Sequence, residues 1–366
     1  MKNNFILPIT LGILLIACNP GEYQVTEVSN PRFIPNTVFL SAENLGSPKF
    51  RHLIVKYQLD TVFHGETDEF RRILMLRHWI KSIIKIDDFG DPYPGDGFTE
   101  GILDAALEGQ GFHCGHFMTV QNGIMNAYGY VTRPIGAGPG VKGGPDGHHG
   151  INEIWLNDRN KWFLSDAKYD HHFEKNGNPL SALEVRDEYL KNKGADVVLV
   201  KGPDRKFIET DDETGNSKEN YMQTYTWIEW HVYNDMFTAW PDYETLLVMY
   251  EDDYYRNNTW IWDGKPHWAY NTEYLITEKN REAIEWTPNT LSSKAVIAGD
   301  KVSVILVSNT PNLKEYQMKL YGRPEWDMVK DTVEISLGKE DQKIIFRTVN
   351  LAGVAGPEHE LLIRSQ

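Results

Sequence analysis

Gly111-Phe112-His113-Cys114-Gly115-His116-Phe117-Met118 sets a cysteine beside two glycines at the head of an apolar periodicity. Phe117, Val120, Gln121, Ile124, Met125 and Tyr128 follow at helical spacing, which predicts a helix that begins at the cysteine. A helix N-terminus carries partial positive charge, and that charge favours thiolate over thiol. The chain has two cysteines, and the other, Cys18, ends an apolar N-terminal run. Cys114 is therefore the one thiol left for chemistry. Taken alone, the segment also suits a buried, inert cysteine, because free cysteines are among the most buried residues.

The residues downstream change the weighing. Positions 130–135 read as a strand, and 136–147 hold six glycines in twelve residues, a loop. Positions 149–155 read as a second strand, 157–160 as a hairpin turn and 161–166 as the returning strand. Alternate strand residues share a face. His149, Ile151 and Glu153 therefore point one way, and Trp162, Leu164 and Asp166 share a face of the partner. The hairpin can bring His149 and Asp166 together at its open end. A thiolate needs a base or imidazolium partner, which His149 supplies. The imidazole needs an acceptor that fixes its tautomer, which Asp166 supplies.

Three further spacings sharpen this: Gly129 with Arg133, His149 with Glu153, and Trp162 with Asp166. Together with Gly111-Phe112-His113-Cys114-Gly115, they resemble the transglutaminase-like superfamily over roughly residues 66–172. The resemblance implies an α+β, papain-like catalytic domain, with the cysteine on a helix N-terminus packed on an antiparallel sheet. It also implies Cys114 as nucleophile, His149 as general base and acid, and Asp166 as the orienting residue. The chain departs from the usual pattern at Gly150, Ile151 and Ala167, which bears on substrate and reaction more than on the triad.

Rivals lie inside the motif. His148 adjoins His149 on the opposite strand face, and the spacing to Glu153 favours His149. Asp170 and Glu174 compete with Asp166 from beyond the strand. His113, His116, His148, His149, His171 and His172 around Cys114 invite a zinc reading, but no second cysteine accompanies them and the spacings match no common zinc pattern. No cofactor or metal is expected. His171 and His172 read as a polar loop after the strand, or as the rim of the cleft. Glu153 reads as a structural partner or an exposed strand residue, and Arg133 as pairing with an acid rather than touching substrate. Gln110 is a weaker oxyanion donor than the backbone N–H of Cys114.

The rest of the 366 residues frames this domain. Positions 1–17 read as a lipoprotein signal peptide, because a short basic start and apolar run lead to Leu15-Ile16-Ala17-Cys18. Positions 18–45 read as a tether, 46–200 as the transglutaminase-like domain, and 201–280 as its aromatic-rich extension. In 221–270, Trp227, Trp230, Trp240, Trp260, Trp262 and Trp268 suit core packing first and a glycan-binding face second. Positions 281–366 carry short alternating strands at regular intervals, which predicts a C-terminal β-sandwich of fibronectin III or immunoglobulin type. The net charge of −15 excludes nucleic acid, whose phosphates need a basic surface.

These readings converge on a bacterial cell-envelope lipoprotein, held to the outer membrane through a lipid on Cys18. Its Cys-His-Asp site would act on an amide of a peptide, protein or glycopeptide through a thioester, with hydrolysis as the default outcome. Protein-glutamine transamidation is one alternative. A non-catalytic lipoprotein that binds glycan or peptide is another.

Overall fold

The computed structural model describes residues 23–28, 30–88, 98–139, 147–239, 242, 244–262 and 264–365. The expected signal peptide, Cys18 and Trp240 lie outside them. Among the described residues, no helix is long and apolar enough to cross a membrane. Helices and sheets are mixed, and two separate groups of sheets are built on them.

The centre of the first group is the cysteine helix, Cys114–Ala127. Phe117, Val120, Ile124 and Met125 are fully buried, as their spacing requires. Each such side chain contributes about 1.5–3 kcal/mol. The helices Pro48–Lys56, Glu69–Ile83 and Phe98–Leu107 supply the other walls of this core, through Leu53, Ile73 and Ile102 among others.

On the other side lies a six-stranded sheet. Its order is Leu275–Glu278, Leu247–Tyr250, Trp227–His231, Thr132–Gly138, His149–Leu156, Lys161–Ser165. All neighbours are antiparallel except the outermost pair at Leu247–Tyr250 and Leu275–Glu278. The hairpin of the last two strands turns at 157–160, with Asn160 at φ 50°, and pairs Glu153 with Leu164. Trp227–His231 pairs directly with Thr132–Gly138, so the aromatic-rich region completes the sheet that carries His149.

Helix and sheet approach each other closely at Gly150. A Cβ there would lie 3.2 Å from Cα and 3.3 Å from N of Gly115. Gly150→Ala is expected to wedge the histidine strand off the cysteine helix, costing about 1–3 kcal/mol and slowing alkylation of Cys114. Wild-type values in both a urea melt and a labelling assay would refute this.

A smaller sheet orders Lys206–Ile208, Val198–Lys201, His171–Lys175 and Asn178–Pro179. This corrects the reading of His171 and His172 as a polar loop or cleft rim. Both lie in a strand and are fully buried. Partners make that burial tolerable: His172 sits between Arg77 and Glu174 of its own strand, and His171 meets Tyr225. The helix Ala182–Asn192 follows, started by a capping box of Ser181 and Glu184.

The second group holds a three-stranded sheet, Leu291–Ala298, Lys301–Ser308 and Thr332–Ser336, and a five-stranded one. Val302, Val304 and Leu306 of the first share one core with Ile344, Phe346, Leu361 and Ile363 of the second. The edge of the five-stranded sheet is Tyr23–Glu27, paired antiparallel with His359–Ser365. The segment expected as a tether is therefore structural from Tyr23 onward. Tyr23 and Val25 pack on the C-terminal core, and Ile34, Val38 and Phe39 enter the core around Trp162 and Trp286. Apolar side chains at those positions lose more in water than the chain gains from freedom.

Candidate active site

Cys114 opens its helix at half burial, the one free cysteine among the described residues. His113 is the N-cap, and its Nδ1 accepts from the Gly115 N–H at 3.2 Å. Accepting there leaves the ring proton on Nε2. The Cys114 thiol makes hydrogen-bond contacts with three imidazoles: His113, His148 and His149.

His149 begins its strand and is 5% exposed. Its Nε2 lies 2.6 Å from Asp166 Oδ2, so Nε2–H donates to the carboxylate and Nδ1 is the nitrogen left for the thiol. The ring stacks on Tyr169 with centroids 5.4 Å apart. Asp166 follows the returning strand and is fully buried. Its Oδ1 accepts from the Tyr169 N–H at 3.2 Å, and its Oδ2 also accepts from the Tyr225 hydroxyl at 2.8 Å. A backbone bridge between Asp166 and His171 holds the main chain in place.

The charges follow from this arrangement. Burial favours a neutral Cys114, but the contacts with His113, His148 and His149 prevail and hold the thiol far below its ordinary range. Burial likewise disfavours a charged His149, but Asp166 and the thiolate raise it well above the usual imidazole value. Burial works against an ionised Asp166, and His149, His171 and Tyr225 overcome it and push the carboxyl down. The result is a thiolate, an imidazolium and a carboxylate in line.

The rivals are occupied elsewhere. Asp170 binds Arg77 at 2.9 Å and His78 at 2.6 Å. Glu174 binds His172 and Arg205. Gln110 closes the preceding helix through its N–H to Ala105. His148 differs, because it also reaches the thiol. Its ring stacks on Trp262 at 4.3 Å and on Trp260 at 5.8 Å. Trp260 is fully buried and donates its Nε1–H to the Gly147 carbonyl at 3.0 Å, which ties down the chain just before His148. Among the described residues, no group of three or more His, Cys, Asp or Glu is placed to hold a metal.

The aromatic region divides. Tyr221, Tyr225, Trp227, Trp230 and Trp260 are buried, whereas Trp262 and Trp268 are 37% and 48% exposed. Sequence reasoning missed Tyr225, which reaches Asp166 from 59 residues away. It named His171 and Trp260 without what they do here: His171 bonds Tyr225, and Trp260 holds the Gly147 carbonyl.

Arg133 pairs with an acid, which is Glu153, and Glu153 is buried rather than exposed on its strand. Glu153 Oε2 accepts from Arg133 at 2.6 and 2.9 Å and from the Trp230 indole at 2.8 Å. Its Oε1 accepts from the Ala182 N–H at 2.7 Å. One carboxylate thus ties the histidine strand to its neighbour Thr132–Gly138, to Trp227–His231 beyond that, and to a helix start.

No family model matches the chain, and no curated protein matches it. Among solved structures, the chain is similar to red sea bream transglutaminase at 10% sequence identity and a TM-score of 0.23. That likeness covers 81% of this chain and 68% of the other.

Proposed function

We propose that this protein is a transglutaminase-like thiol enzyme that cleaves an amide through a thioester. The observation that carries the reading is the line from the Cys114 thiol through His149 to Asp166, with His149 Nε2 2.6 Å from the carboxylate. The Cys114 thiolate attacks the amide carbonyl carbon. The backbone N–H of Cys114, in the first turn of its helix, donates to the developing oxyanion. His149 gives its Nδ1 proton to the leaving amine as the C–N bond breaks, and a thioester remains. Water then attacks the thioester while His149 takes its proton, and the acid and the free thiolate are released.

We read the two facing C-terminal sheets as a β-sandwich that walls the catalytic body. We place the protein at the bacterial cell envelope, on a lipid carried by Cys18, where its substrates are peptides or glycopeptides.

Iodoacetamide alkylation of Cys114 across pH, in a Cys18→Ser chain, tests the chemistry. Fast labelling well below the ordinary thiol midpoint of about 8.5 is expected. A rate that rises only through that midpoint would sink the proposal.

A further inference from the structure

His149 faces a difficulty that the bare triad leaves open. An imidazolium held too firmly by its carboxylate is a poor acid, and the leaving amine needs its proton. The structure supplies a counterweight on the far side of Asp166.

Asp166 Oδ2 has two donors. The His149 Nε2–H lies at 2.6 Å and the Tyr225 hydroxyl at 2.8 Å. The Tyr225 oxygen in turn lies 3.1 Å from His171 Nε2. The proton directions follow by elimination. A carboxylate only accepts, so the single hydroxyl proton of Tyr225 goes to Asp166. His171 Nε2 must then carry a proton and donate it to the Tyr225 oxygen. That choice leaves His171 Nδ1 bare, and Nδ1 has no hydrogen-bond partner among the described residues. His171 and Tyr225 are fully buried. Burial and the nearby Arg77 charge lower His171 to about 4 despite Asp166 and Asp211, so the ring is neutral at ordinary pH. Burial and Asp166 raise Tyr225 well above the phenol range, so its proton stays on.

We propose that Tyr225, polarised by His171, is a positioning residue that draws charge from Asp166 Oδ2 and keeps the His149 imidazolium acidic enough to protonate the leaving group. A donor that feeds a donor strengthens it, and the chain His171–Tyr225–Asp166–His149 runs one way throughout. The relay also fixes the carboxylate, because Oδ1 is held separately by the Tyr169 N–H at 3.2 Å. Tyr169 stacks on the His149 ring, and the Cys114 thiol interacts with the same imidazole. Among the described residues, His149 is the one cationic side chain hydrogen-bonded to Asp166, with neutral His171 3.6 Å from the same oxygen, so the Tyr225 hydroxyl is the neutral donor that sets its strength.

The inference rests on the triad reading, and one experiment separates the two. The His149 imidazole is titrated by nitrogen-15 NMR in the Cys18→Ser chain and in its Tyr225→Phe, His171→Phe and His171→Gln variants. Wild-type His149 is expected to titrate far above the ordinary imidazole midpoint of about 6.5. In Tyr225→Phe the carboxylate loses a donor and becomes more basic, so the His149 midpoint should rise by about half a pH unit or more. His171→Phe should raise it less, and His171→Gln, which keeps an N–H donor, should return it toward wild type. An unchanged or lowered midpoint in Tyr225→Phe overturns the relay while leaving the triad intact. If Tyr225→Phe does not fold, equal midpoints in the two His171 variants overturn it. An ordinary midpoint in the wild type overturns the triad and the relay together.

Discussion

Replacing His149 with alanine is expected to slow iodoacetamide labelling of Cys114 at pH 6 by about two to three orders of magnitude. The size follows from the thiolate fraction. In the wild type the thiol is half-buried, which by itself favours the neutral form, yet the imidazole contacts pull it far below its ordinary value. Among those imidazoles, His149 is the one that a carboxylate holds in its charged form. Without it, only His113 and His148 oppose the effect of burial, and neither is held in its charged form by a carboxylate, so the midpoint returns toward about 8.5. At pH 6 that leaves less than about one thiol in a hundred ionised. The wild type should keep its rate as pH falls from 8 to 5 and lose it only when the thiolate itself takes a proton. Labelling reports this where a bulk titration does not, since thiolate with imidazolium holds as many protons as thiol with imidazole. His149→Asn serves as a control, because its amide can still donate to Asp166. It should lose the fast labelling while retaining most of the stability. Equal labelling of wild type and both variants at pH 6 would remove His149 from the mechanism.

Glu153→Ala is expected to destabilise the fold by about 3–5 kcal/mol, read as a lower urea midpoint. Arg133 and Glu153 are 2% and 1% exposed, so the substitution strands a guanidinium in the interior. The remaining bond from Arg133 to the Ile284 carbonyl, 2.6 Å long, does not balance its charge. The Trp230 indole and the Ala182 N–H lose their acceptor at the same time. Arg133→Met together with Glu153→Leu should recover much of the loss, because the cost lies in the unpaired charge more than in the missing attraction. A single variant within about 1 kcal/mol of wild type would show that water reaches the pair. The site should suffer with the fold, since Glu153 is on the strand that begins at His149.

The parts of the molecule that local pattern determines were open to sequence reading. The cysteine helix has a continuous apolar face, and its start is marked by a histidine cap and glycines. His149 and Asp166 belong to a hairpin whose short turn sets the register, so strand alternation alone brings their side chains to one end. The C-terminal strands show the same alternation, and short strands run from Leu291 to Ser365, within the region read as strand-rich.

Tertiary structure alone decided what depends on distant partners. Tyr23–Glu27 is a short polar run whose fate as a strand is set by His359–Ser365 at the other end of the chain. His171 and His172 read as loop residues because isolated histidines favour water. They are buried because Arg77 and Tyr225 arrive from distant elements to join Glu174 of their own strand in satisfying them. Tyr225 reaches Asp166 from 59 residues away, and Trp260 secures the backbone before His148 from 113 residues away. Helix periodicity and hairpin register are properties of neighbours in sequence, which the residues themselves carry. A buried donor finds its acceptor only when separate elements are packed together, and no local spacing records that meeting.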